Sequence, residues 1–136
     1  MVRRVVFAVV AVFVAWSVLD FLIHGLMLQP IYGATAQLWR PMNEMKMGLM
    51  YVVTAVGAAC FVGMYASLIQ PKSLAHGLQF GLLFGVGTGI PMGLGTYSVM
   101  PIPLSLAVAW FLGALAESLV GGLLAASIVK EPKAAS

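Results

Sequence analysis

Charge is what this sequence has least of. Seven Lys or Arg and four Asp or Glu make up 8% of its 136 residues, where soluble domains carry about 25%. With 62% hydrophobic residues, no soluble fold could cover the apolar surface, so lipid has to be the main solvent. The few basic residues never form a run, which excludes a nucleic-acid-binding stretch. The single cysteine, Cys60, excludes an intrachain disulfide and, set in mid-span without a basic neighbour, is expected to be inert. The two histidines fall at opposite membrane faces, His24 outer and His76 inner, so a bis-histidine haem is ruled out. The GxGxG of residues 85–89 has neither a preceding strand nor the GK[ST] of a phosphate loop. No hydrolase motif occurs, and a non-enzymatic role is the more expected one.

What the chain does have is four apolar runs, each of the roughly 20 residues that cross a bilayer as a helix. They cover about 5–28, 47–69, 74–97 and 104–129. An interfacial loop at 29–46 and tight turns at 70–73 and 101–103 join them. These leave no room for a separate soluble domain, so residues 1–136 read as one all-α integral membrane domain. The first run continues past the small residues Ala15 and Ser17 to Leu28, which argues for an uncleaved span over a signal peptide. Tyr32, Trp39 and Arg40 suit the headgroup level. Asn43 and Ser73 are candidate caps for the second and third spans.

The third span carries glycine at every fourth position: Gly77, Gly81, Gly85, Gly89 and Gly93, with Gly87 and Gly95 added. In water such a helix would be poor, since an interior glycine costs about 1 kcal/mol against alanine. In lipid the same stripe lets helix backbones approach closely, as a glycine zipper. The second span repeats the pattern with Ala55, Ala59, Gly63 and Ser67, and the fourth with Ala109, Gly113, Glu117, Gly121 and Ala125. The spans are therefore expected to pack through small-residue faces. Those faces exceed what one four-helix bundle needs, so a homo-oligomer or a larger membrane complex is expected. Pro91 should kink the third span near Gly87 and Thr88. With both termini in the cytoplasm, Arg3, Arg4, Lys72, Lys130 and Lys133 lie inside and only Arg40 and Lys46 outside, as the positive-inside rule requires.

The segment FLIHGLMLQPIYG at the end of the first span, followed by LWRP, resembles small uncharacterised bacterial four-span membrane proteins. That resemblance implies a bacterial inner membrane and carries no function with it.

Few residues could carry chemistry. Glu117 stands halfway along the fourth span, roughly 20 Å from either end, where an ionised carboxylate must pair, meet water or stay protonated. Its face is expected to pack on the glycine stripe near Thr88, either as a proton or cation site or as a structural hydrogen bond. Asp20 and His24 are four apart, on one helix face that Val12 and Trp16 continue inward. A carboxylate beside an imidazole relays protons, orients a metal ligand, or forms a plain ion pair. Glu44 at the same outer level could join them, as could Arg40. Outer methionines beside His24, Met27 foremost, raise a copper-like transition metal as a possible cofactor, against the plainer reading of methionine as packing material. The expectation is a small membrane protein handling a proton or metal ion through Asp20, His24, Glu44 and Glu117. The alternative is a non-catalytic accessory or assembly subunit whose polar residues specify helix pairing. A third reading is a membrane enzyme or a lipid or quinone binder using the Trp16 face.

Overall fold

The structure, a computed structural model, describes residues 1–130. Lys133 and the rest of the polar tail lie outside the described residues. The chain is helical, and no strand occurs among the described residues. Helix α1 (Val2–Asp20) runs on through a π-helical turn, Phe21–Met27. A short α2 (Gln29–Ala34) and two 3₁₀ turns follow, then α3 (Met47–Leu68). Helix α4 (Leu74–Ile90) continues through a second π turn, Pro91–Gly95, into α5 (Thr96–Val99), and α6 (Leu104–Ile128) completes the bundle. Four helices are long and apolar enough to cross a membrane: Val2–Met27, Met47–Leu68, Leu74–Val99 and Leu104–Ile128. A helix is the form that satisfies every backbone amide within the segment, as hydrocarbon demands.

The caps differ from one helix to the next. Ser73 Oγ accepts the His76 amide at 3.1 Å and so starts α4. Asn43 caps nothing, because it falls in the 3₁₀ turn Met42–Glu44 and α3 begins only after Lys46. The carbonyls that end α3 are met by Lys72, whose Nζ donates to Tyr65 O at 3.1 Å, Ala66 O at 2.8 Å and Ile69 O. A lysine at this position also opposes the negative end of the helix dipole. Pro91 does not break its helix. The backbone takes up the missing donor in the π turn, one of the known ways a helix absorbs proline.

Helix α6 is the centre of the bundle: its most extensive contact is with α4, then α1, then α3. Gly77, Gly81, Gly85, Gly89 and Gly93 are all buried against it. A Cβ at Gly77 would meet Ala126 Cβ and Gly122 O at 2.5 Å, and one at Gly81 or Gly93 would collide with the carbonyl of Ser118 or Ala107. The α6 residues facing this stripe are Ala107, Phe111, Leu115, Ser118, Gly122 and Ala126. Glu117 is not among them. Gly113 lies instead beside Ile23 of α1, and Gly121 beside Trp16 and Phe61. The expected packing of Glu117 near Thr88 is thus corrected: α4 takes the neighbouring Ser118–Gly122–Ala126 ridge, and Thr88 is exposed, its hydroxyl donating to Phe84 O at 2.8 Å.

Two apolar cores result. At the end holding Met1 and Lys130, Ala8 and Val12 pack with Phe61, Val62, Tyr65, Ala125 and Val129. At the opposite end, where residues 28–46 fold back over the start of α6, Leu28 packs with Ile102, Leu106 and Ala107. Helix α3 joins only the first: from Met47 to Val56 it is exposed apart from a half-buried Thr54.

Candidate functional site

The site lies where α1 crosses α6, and it is built in layers from mid-helix toward the loop end. The deepest layer is Trp16, whose indole Nε1 donates to the Glu117 carbonyl at 2.7 Å. The indole can lie on α6 because position 121 has no side chain; a Cβ there would stand 3.1 Å from Trp16 Nε1 and from Phe61 Cε1. Phe61 closes the other side of the ring, edge-on at 5.2 Å. This fixes the register of the crossing, so that Asp20, one turn further along α1, comes against Glu117.

The two carboxyl groups are electrostatic neighbours. Glu117 Oε1 is buried and has no hydrogen-bond partner, and the same is true of Ser17 Oγ. A buried carboxyl oxygen left unpaired in hydrocarbon calls for a proton, a water or a cation.

Above the pair comes the π turn. Its wider coil ends in a bond from Leu28 N to Ile23 O, 2.9 Å long and spanning five residues, and it sets His24 over Asp20 with Nε2 to Oδ1 at 3.9 Å. The distance suits electrostatic contact and leaves direct hydrogen bonding out of reach. Both side chains are about a third exposed, His24 at 36% and Asp20 at 37%. His24 Nδ1 lies 2.6 Å from the Tyr32 hydroxyl, and Trp110 Nε1 donates to that same hydroxyl at 2.8 Å. Indole is a donor only, so the Tyr32 oxygen accepts from Trp110 and its own proton is free for His24. A neutral His24 then accepts on Nδ1 and carries its proton on Nε2, toward Asp20. Trp39, edge-on to both Tyr32 and Trp110, donates to Thr35 Oγ1 at 2.9 Å and closes the layer. Burial pushes the Tyr32 phenol above its ordinary value; the Trp110 hydrogen bond opposes that shift and the Asp20 charge adds to it.

The result is a row of neighbouring polar groups, Glu117–Asp20–His24–Tyr32–Trp110, from mid-helix to the loop end. Toward the other end lies the apolar cluster that includes Trp16, Phe61, Val12 and Ala8. Beside the row, an apolar groove of about 280 Å³ runs between Ile23, Met27 and Leu28 on one side and Ala109, Gly113 and Ala116 on the other.

Several expected members stand elsewhere. Glu44 is exposed in its 3₁₀ turn, and no ion pair joins Arg40 to Asp20 among the described residues. Met27 is 73% exposed, and among the described residues no three of His, Cys, Asp or Glu gather as a metal-binding group. His76 belongs to the α4 cap, with Nδ1 at 2.7 Å from Ser73 Oγ. Tyr32 and Trp110 are members that residue-by-residue reading passes over. Their signal was faint: an interfacial tyrosine eight residues beyond His24, and a tryptophan seven before Glu117. No protein-family model matches the chain, and neither a curated protein nor a solved structure is significantly similar to it.

Proposed function

We propose that this chain is a small integral membrane protein that takes up a cation, foremost a proton, at the Asp20–Glu117 pair. In this reading both termini are cytoplasmic, the loop end faces outward, and the membrane is a bacterial inner membrane. The glycine stripe of α4 acts as a zipper that holds α6 still behind the site. One observation carries the reading: the carboxyl pair ends a row of polar groups that reaches the loop end and stops at an apolar core on the other side. That arrangement suits a site loaded from outside through His24 and Tyr32, and it does not suit an open pore. Protonating one carboxyl would leave the pair with a single negative charge, which is the state hydrocarbon tolerates.

Infrared difference spectroscopy during a pH jump, on protein in liposomes, tests this directly. A protonated-carboxyl band should appear as pH falls, disappear in Glu117→Gln or Asp20→Asn, and respond to buffer changed on the loop side alone. A spectrum without any titrating carboxyl band would sink the reading. The second reading, an accessory subunit in a homo-oligomer or larger complex, draws on the bare half of α3. It predicts that Asp20→Asn and Glu117→Gln change association in gentle detergent and leave cation uptake as it was.

A further inference from the structure

The groove between α1 and α6 bears on what the site takes. Its lining is apolar throughout and includes neither carboxyl, and it sits one helical turn loopward of each, Ile23 above Asp20 and Gly113 above Glu117. We propose that the cargo of this site is a hydrophobic organic monocation drawn from the bilayer, its apolar body in the groove and its charge at the Asp20 and Glu117 carboxyls. This rests on the proton-site reading and names the substrate that the proton is exchanged for.

Charge complementarity decides the class. No lysine or arginine lies on the described spans at this depth; Arg40 and Lys46 are exposed in the connecting loop. An anion would therefore meet two carboxyls with no counter-charge, and a neutral apolar molecule would gain nothing from them. A hard metal cation such as Ca²⁺ or Mg²⁺ needs six or so oxygen ligands to replace its water, whereas two carboxyls supply far fewer, and no three of His, Cys, Asp or Glu gather among the described residues for a softer metal. A weakly hydrated organic cation needs no such shell. The volume, about 280 Å³, is just below the roughly 300–1,000 Å³ of small-molecule sites, which favours a compact cation over a whole phospholipid. The unpartnered Glu117 Oε1 is the group such a charge would satisfy. Charge balances in the exchange: the cation arrives as the proton shared by the pair leaves. The titratable groups nearest the pair are His24 in the π turn and Tyr32 above it, while Gly57 and Phe61 of α3 lie against Trp16.

The test is equilibrium binding of labelled methyltriphenylphosphonium to the purified protein in lipid nanodiscs, with empty nanodiscs subtracted. Uncharged triphenylphosphine serves as a competitor of similar shape. We expect saturable binding of one cation per chain, accompanied by proton release, weakening as pH falls, and not displaced by triphenylphosphine. Asp20→Asn should weaken it about tenfold or more. So should Ala116→Leu, which fills the groove while leaving the infrared carboxyl titration in place. Ala109→Leu, filling the far end, provides the same reading if Ala116→Leu does not fold. Binding unaffected by either groove-filling variant, or displaced by the neutral analogue, overturns the proposal. A carboxyl pair that titrates without saturable cation binding overturns it too and leaves the proton site standing. Absence of both titration and binding ends both.

Discussion

Tyr32 takes one hydrogen bond and gives another: it accepts from Trp110 and donates to His24. Because burial and the Asp20 charge raise the phenol and the Trp110 bond lowers it, each substitution moves it in a known direction. The difference in ultraviolet titration between the wild type and Tyr32→Phe isolates this phenol. It should lie above free tyrosine, fall toward it in Asp20→Asn, and rise further in Trp110→Phe. A group whose pKa is higher folded than unfolded favours the fold while it stays protonated. The stabilisation from Tyr32 is therefore complete below the unfolded value near 10 and is lost as pH rises through the folded one. Unfolding midpoints above that pH should fall less in Tyr32→Phe than in the wild type; an identical alkaline slope in both would refute the assignment. At the deeper layer, Trp16→Phe removes the bond to the Glu117 carbonyl and part of the ring that packs on Gly121 and Phe61. A loss of more than about 1 kcal/mol is expected, read by reversible unfolding in mixed micelles.

Helix α4 lies against α6 along its glycine stripe and is apolar enough to span a membrane. Lipid gives no hydrophobic drive between helices, so association rests on close van der Waals contact. The glycine stripe brings α4 against the α6 backbone, and the two added glycines supply an internal control. A Cβ at Gly81 would strike Ser118 O, whereas one at Gly87 would meet nothing within 4 Å. Gly81→Ala should thus destabilise by about 1–3 kcal/mol through overpacking. Gly87→Ala should be neutral, or stabilise by up to about 1 kcal/mol through helix propensity. Equal losses at both positions would show that propensity, and not contact, governs the stripe. Helix α6 also explains the misplacement of Glu117 by sequence reading. It carries two small-residue ridges side by side, one through Gly113, Glu117 and Gly121 and one through Ser118, Gly122 and Ala126. Spacing alone cannot say which ridge meets α4. The ridge without a carboxylate packs against the glycines, which leaves Glu117 for Asp20 and Trp16.

The molecule as a whole is unevenly tied together. Its terminal end holds Phe61 among Phe80, Phe84 and Trp16, with ring centroids 4.7, 4.9 and 5.2 Å away, while α3 leaves the bundle above Gly57. Phe61→Ala should cost about 3 kcal/mol or more. Val53→Ala, on the bare half of α3, should stay within about 0.5 kcal/mol. The same unfolding assay compares them, and a large loss at Val53 would mean that another chain covers that half. Composition and run length determined by themselves that the chain is helical, with four helices apolar enough to span a membrane. That much was legible because burial in hydrocarbon is a property of each segment alone, satisfied within the helix. The pairing of Asp20 with Glu117, the link from His24 to Tyr32 and Trp110, and the exposure of Glu44 and Met27 were decided only by the tertiary structure. Those depend on which ridge of each helix meets which neighbour and on a π turn that resets the register after Asp20. A period near four repeats on several faces at once and cannot choose among them; contact between helices can.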